Sequence, residues 1–177
     1  MNPPAVGCAG LRVRLNGHLA LADATLELRA RTTAVIGDNG SGKSTFARAV
    51  AGLVPREEGA LAVLGLDPTR DAGDLRRRVA MVFSDPDAQV LMPTVAEDIA
   101  FSLHPERLPR GERDRRVAAA LQRFGLSEMA DRPAHDLSGG QKQVLALCGA
   151  FVRRPGLVVA DEPTASLDDR AARRVAD

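Results

Sequence analysis

At 177 residues the chain can bury one good core, and its 45% hydrophobic content is that of an ordinary globular protein. A formal net charge of +1 argues against the strongly basic face of a nucleic-acid binder, and no apolar run nears the ~20 residues a bilayer span needs. With five Phe and neither Trp nor Tyr, the chain is poor in aromatics for stacking on nucleic-acid bases, and no nucleic-acid partner is expected.

The start, Met1-Asn2-Pro3-Pro4, has neither a basic n-region nor a long apolar stretch, so no signal peptide is expected. Cys8 and Cys148 lie far apart without metal-ligand spacing and read as reduced thiols of a cytoplasmic protein. Leu11-Arg12-Val13-Arg14-Leu15 alternates apolar and polar, as a half-buried strand does. Asn16-Gly17 is a turn signal, and Leu26-Glu27-Leu28 resumes the alternation as a hairpin partner.

The short apolar run Thr33-Ala34-Val35-Ile36 predicts a strand. It leads into Gly37, Asp38, Asn39, Gly40, Ser41, Gly42, Lys43, Ser44 and Thr45, and then into a helix from Phe46. Strand, glycine-rich turn and helix in that order are the context of a phosphate-binding P-loop. Gly37, Gly40 and Gly42 can take positive φ and bring backbone N–H groups close to an anion. The helix start adds its positive dipole end. Lys43 can reach the β- and γ-phosphates of a nucleoside triphosphate, and Ser44 can offer a hydroxyl to Mg²⁺. A glycine-rich turn alone could bind nothing; flanked as it is here, it is expected to bind a nucleoside triphosphate.

Gly52 and Pro55 close the helix, Glu57-Glu58-Gly59 reads as a loop, and Leu61-Ala62-Val63-Leu64 as a strand ending at Gly65. Arg76-Arg77-Arg78 suits a solvated face better than a basic docking patch. Val79-Ala80-Met81-Val82-Phe83 is a buried strand by length and β-branched content. Thr94 and Glu97 have capping-box spacing ahead of Ile99 and Leu103. Val117, Leu121 and Phe124 line one face of the next helix, which Gly125 ends. Residues from about 85 to 154 thus form a helical insertion between strands.

Leu137-Ser138-Gly139-Gly140-Gln141-Lys142-Gln143 precedes an apolar helix, Val144 to Phe151. A serine N-cap before two glycines is a second anion-binding geometry, although alone it could be a simple helix start. Leu157-Val158-Val159-Ala160-Asp161-Glu162-Pro163 is a buried strand carrying two carboxylates at its C-terminal end, where open parallel sheets bind ligands. Asp161 is placed to orient a metal and its waters, and Glu162 to polarise an attacking water. An acidic strand-to-turn junction without such a role is the plainer alternative.

With these motifs the chain resembles an ABC-type ATPase. Residues 37–45 match the Walker A motif, 137–141 read LSGGQ, 157–162 match Walker B with its catalytic glutamate, and Ser166-Leu167-Asp168 match the D-loop. The resemblance covers nearly the whole chain. It implies an α/β P-loop fold: a RecA-like, mainly parallel sheet, an N-terminal antiparallel β part and a helical subdomain. The chain would be one such ATP-binding domain, residues 1–177, incomplete at its C-terminus. ATP and Mg²⁺ are the implied ligands, with Ser44 and Asp161 toward the metal and Lys43 and Glu162 as catalytic groups. The mechanism implied needs two copies, as a homodimer or with another such ATPase. Ser138, Gly139, Gly140 and Gln141 would face the γ-phosphate on the other subunit, and Asp168 would serve the D-loop.

A narrower resemblance rests on Val82-Phe83-Ser84-Asp85-Pro86-Asp87-Ala88-Gln89 and on the stretch from Met92 to Phe101. This is similar to the ATPases of energy-coupling-factor importers of vitamins, cobalt and nickel, the biotin-type member most of all. There the two segments face a transmembrane coupling protein, which works with a substrate-capture membrane subunit. A peripheral place on the cytoplasmic side of the membrane is implied.

The pattern breaks in three places. Ser84 stands where the family's Q-loop glutamine would, with a shorter reach toward the metal. Leu15 or Arg14 stands where an adenine-stacking aromatic would. The family's switch histidine, expected on a strand ~30 residues beyond the D-loop, is not in the chain, since His18, His104 and His135 all precede Walker B. A truncated, non-hydrolysing nucleotide-binding regulatory remnant is the alternative this raises.

Overall fold

A computed structural model describes residues 3–163. The chain forms two compact units that divide between residues 81 and 82.

The first unit is built on a three-stranded antiparallel sheet in the order β2-β1-β3. β1 (Val6–Leu15) and β2 (His18–Leu28) form a hairpin closed by Asn16 and Gly17, with φ of 49° and 81°. Two successive positive φ values match the right-handed twist of the strands, which is why Asn-Gly stands there. β3 (Glu58–Val63) pairs with the other edge of β1, from Val6↔Val63 to Arg12↔Glu58. Both strands are longer than their alternating cores suggest. Ion pairs across the ladder, Arg12 to Glu58 at 3.3 Å and Arg14 to Glu57 at 3.0 Å, help carry the pairing past the glycine-containing ends.

α1 (Lys43–Val50) packs against all three strands and buries Thr45, Phe46, Ala49 and Val50. Leu11, Val13 and Val63 of the sheet are fully buried. Removal of such side chains from water supplies about 1.5–3 kcal/mol each. The loop after β3 is fixed by Arg56, whose guanidinium grips both oxygens of Asp67 at 2.9 Å. α2 (Ala72–Arg78) follows, and its three arginines stand exposed, as a solvated face requires.

One expected element does not form. Residues 33–36 make no strand, and Val35 and Ile36 are 51% and 89% exposed. A strand exists only through a partner's hydrogen bonds, and among the described residues none lies alongside this run.

In the second unit, α3 (Val95–Ser102), α4 (Arg110–Phe124) and α5 (Gly139–Val152) pack around Val95, Ile99, Leu103, Leu121, Leu145 and Cys148. Thr94 and Glu97 form the capping box at the head of α3. Gly125, at φ 70°, ends α4 in the left-handed conformation that glycine adopts without strain. α5 begins five residues before its apolar stretch, because Ser138 caps it and the glycines count as its first turn. β4 (Val79–Val82) runs up to the division between the units and β5 (Leu157–Ala160) lies in the second, where the Asp161 N–H donates to Val82 O at 2.9 Å.

Candidate functional site

The glycine-rich turn of the first unit is held open toward solvent by its own backbone. Gly40 and Gly42 sit at φ 81° and 92°, and the Ser41 N–H donates to Asp38 O at 3.2 Å. Gly42 is the N-cap of α1. Its lack of a side chain is required twice over, because a Cβ there would come within 2.7 Å of the Ala20 carbonyl oxygen. No side chain caps α1 and no acidic residue stands in its first turn. The start of the helix, its positive dipole end, is therefore left uncovered by any capping side chain, which is the arrangement that receives an anion. Lys43 reaches back over the turn, its ammonium donating to Gly37 O at 2.8 Å and Asp38 O at 2.7 Å. Those carbonyls hold the positive charge at the mouth of the turn, while Asp38, Asn39, Gly40 and Ser41 are exposed around it.

The second unit carries the remaining motifs. Ser138 accepts from the Gln141 N–H at 3.3 Å, and the Gln141 Oε1 accepts from the Ser138 N–H at 2.9 Å. This reciprocal box leaves Gly139 exposed and Gly140 half-buried in the first turn of α5, and a Cβ at Gly139 would meet nothing within 4 Å. At the end of β5 the chain leaves the strand through Asp161, and exposed Glu162 adopts φ 52° ahead of Pro163. A glutamate in the left-handed region costs about 1–2 kcal/mol. Ser84 is exposed after β4. Ser166 and Asp168 lie outside the described residues. Arg14, considered for base stacking, is engaged with Glu57 and with Gly17 O at 3.0 Å each.

Two contacts of the second unit were not visible in the sequence. Gln89 Oε1 accepts the Phe83 N–H at 3.1 Å, folding the turn after β4 back on itself. Lys142 bonds Asp87 at 2.6 Å across 55 positions of sequence.

The sequence matches the family described as ABC transporter across residues 21–165. The chain belongs to the ABC transporter family, among its ATP-binding proteins. It is similar to the biotin transport ATP-binding protein BioM of Rhizobium etli, with 42% identity over 88% of this chain and 69% of that one. It is also similar to the energy-coupling factor transporter ATP-binding protein EcfA1 of Symbiobacterium thermophilum, with 46% identity over 85% of this chain and 54% of the relative. Among solved structures, cbiO1 of Clostridium perfringens, part of the ABC transporter complex cbiONQ, superposes with a TM-score of 0.84 at 31% identity, over 98% of this chain and 71% of that one. The chain thus spans about half to two-thirds of the length of the two relatives. The fold is that of these ATPases, with the antiparallel β part and the helical segment that the resemblance implies. Among the described residues no helix is long and apolar enough to cross a membrane.

Proposed function

We propose that this chain is the ATP-binding and ATP-hydrolysing part of an energy-coupling-factor importer, peripheral to the cytoplasmic face of a membrane. The observation that carries the reading is the turn over residues 37–45. It presents a helix start that no side chain caps and a lysine ammonium held by two backbone carbonyls at one opening. A triphosphate would replace those carbonyls as the acceptor for Lys43 and take the N–H groups of the turn. Charge developing on the transferred phosphoryl group would be met by donors already in position.

Mg²⁺ is the ion we assign. Ser44 and Asp161 offer hard oxygens, and such an ion completes its shell with phosphate and water rather than with a cage of protein side chains. Such an ion would neutralise negative charge on the phosphates. Glu162 would align the attacking water, which gives a reason for a glutamate at φ 52°. Ser138, Gly139, Gly140 and Gln141 would close on the γ-phosphate of a second copy or of a related ATPase, and Asp168 would lie at that junction.

Import is supported by what the relatives' names say of them and by the segment from Phe83 to Phe101. A transmembrane coupling protein, with a substrate-capture subunit, is the partner we assign. Biotin is the solute we put first, with cobalt and nickel next.

The test is steady-state ATP hydrolysis by the full-length protein and by Glu162→Gln. Turnover lost on the substitution, with nucleotide still bound, supports the reading. Nucleotide binding without turnover in the parent protein would move it to the non-hydrolysing regulatory alternative. Co-purification with a polytopic membrane protein tests the partner.

A further inference from the structure

Lys142 does not suit the helix it belongs to. It sits in the first turns of α5, at the positive end of the dipole, where a cation is disfavoured. Its side chain is only 15% exposed, so it also loses most of its hydration. Both costs are answered by one partner, Asp87, at 2.6 Å. Asp87 belongs to the turn that follows β4, in the segment the importer reading assigns to the membrane partner.

The bonds around this pair run without a break through the second unit. The Asp161 N–H is held by Val82 O at 2.9 Å. The next residue, Phe83, gives its N–H to Gln89. The turn is tightened by Asp87 N–H to Asp85 at 3.0 Å and Gln89 N–H to Pro86 O at 3.1 Å. Asp87 holds the Lys142 ammonium, and the Lys142 backbone N–H donates to Ser138 O at 2.9 Å. Ser138 is the signature cap. Of these links, only the Asp87–Lys142 pair joins the turn to α5 through side chains. Next to each end lies a buried amide with unpartnered atoms, both ends in Gln143 and the Nε2 of Gln89. Buried polar groups left unpaired are rare in a native fold and call for a reason.

We propose that Lys142 and Asp87 are positioning residues, which set the Ser138 cap of α5 by the position of the turn at residues 85–89. The inference rests on the importer reading above.

A rival role for Lys142 is direct contact with the phosphates. The two roles predict opposite behaviour at Asp87. As a positioning pair, Asp87→Asn and Lys142→Gln each lower kcat by about two- to fivefold, the range of a partly exposed ion pair, with KM for ATP nearly unchanged. Direct contact predicts that Lys142→Gln raises KM while Asp87→Asn is neutral or favourable.

The experiment is steady-state ATP hydrolysis by the full-length protein carrying these substitutions, Lys142→Arg, and the swap Asp87→Lys with Lys142→Asp. We expect Lys142→Arg and the swap to recover most of the lost kcat, because each restores the ion pair. Wild-type turnover in both single variants, or loss that the swap does not restore, would overturn the inference. Ser138→Arg is made in parallel. Loss of turnover there with unaffected pair variants sinks only this inference. Full turnover in Ser138→Arg overturns the reading beneath it as well.

Discussion

Alanine at Gly42 and alanine at Gly40 separate two reasons for glycine in one turn. Both residues have positive φ, 92° and 81°, so either substitution meets the left-handed penalty of about 1–2 kcal/mol. At Gly40 a Cβ would meet nothing within 4 Å. There the penalty stands alone, and it lowers the population of the competent turn by about 5- to 30-fold at most. At Gly42 a Cβ would stand 2.7 Å from Ala20 O and 3.3 Å from Leu21 Cδ1. The first of these is backbone of β2 and cannot rotate away, so overpacking adds about 1–3 kcal/mol. The total, about 2–5 kcal/mol, raises the apparent Kd for ATP by about 30-fold or more. The assay is titration of a fluorescent ATP analogue against the parent and both variants, with far-UV circular dichroism to establish that each is folded. Gly40→Ala is expected to bind weakly and Gly42→Ala more weakly still. If Gly42→Ala binds as tightly as Gly40→Ala, the contact with β2 does not set the turn.

Leu145→Ala, in the fully buried centre of the helical core, is expected to cost about 2–5 kcal/mol in denaturant unfolding, whereas Leu91→Ala on the surface changes stability by less than about 0.5 kcal/mol. Burial pushes the Cys148 thiol up to about 12, so iodoacetamide at pH 8 should leave it unmodified until the protein is unfolded. Asp67 is held below the usual carboxylate range by Arg56 and then by the Thr69 N–H. The unfolded chain therefore binds the proton more readily, and the advantage of the parent over Asp67→Asn is constant at neutral pH. That advantage should shrink as pH falls through about 3.9 toward the lowered native value; equal curves for the two proteins across that range would count against the Arg56 grip.

What the sequence made legible follows the range of the forces involved. The capping box at Thr94, the serine cap at Ser138, the Asn16-Gly17 turn and the Gly125 stop are settled by residues within three or four positions of each other. They were readable for that reason. Residues 33–36 have the composition of a strand, but a strand needs a neighbour, and composition does not name one. The extension of β3 back to Glu58 likewise depends on Arg12, far away in the chain. Lys142 and Asp87 carry no local pattern at all, and only packing brings them together.

Three residues of the second unit remain at odds with their own surroundings. Glu162 holds a backbone conformation that a glycine would hold without strain. Lys142 places a cation at the wrong end of a helix, and Gln143 buries an amide with no partner at either end. Local conflicts of this kind are destabilising, and a fold that keeps them has a use for the group rather than for the geometry. Glu162 can be understood through its carboxylate at the end of β5. Lys142 can be understood through Asp87, which is why substitution of that aspartate is more telling than substitution of the lysine itself. If Asp87→Asn left turnover unchanged, Lys142 would have only the nucleotide left as its reason for standing there.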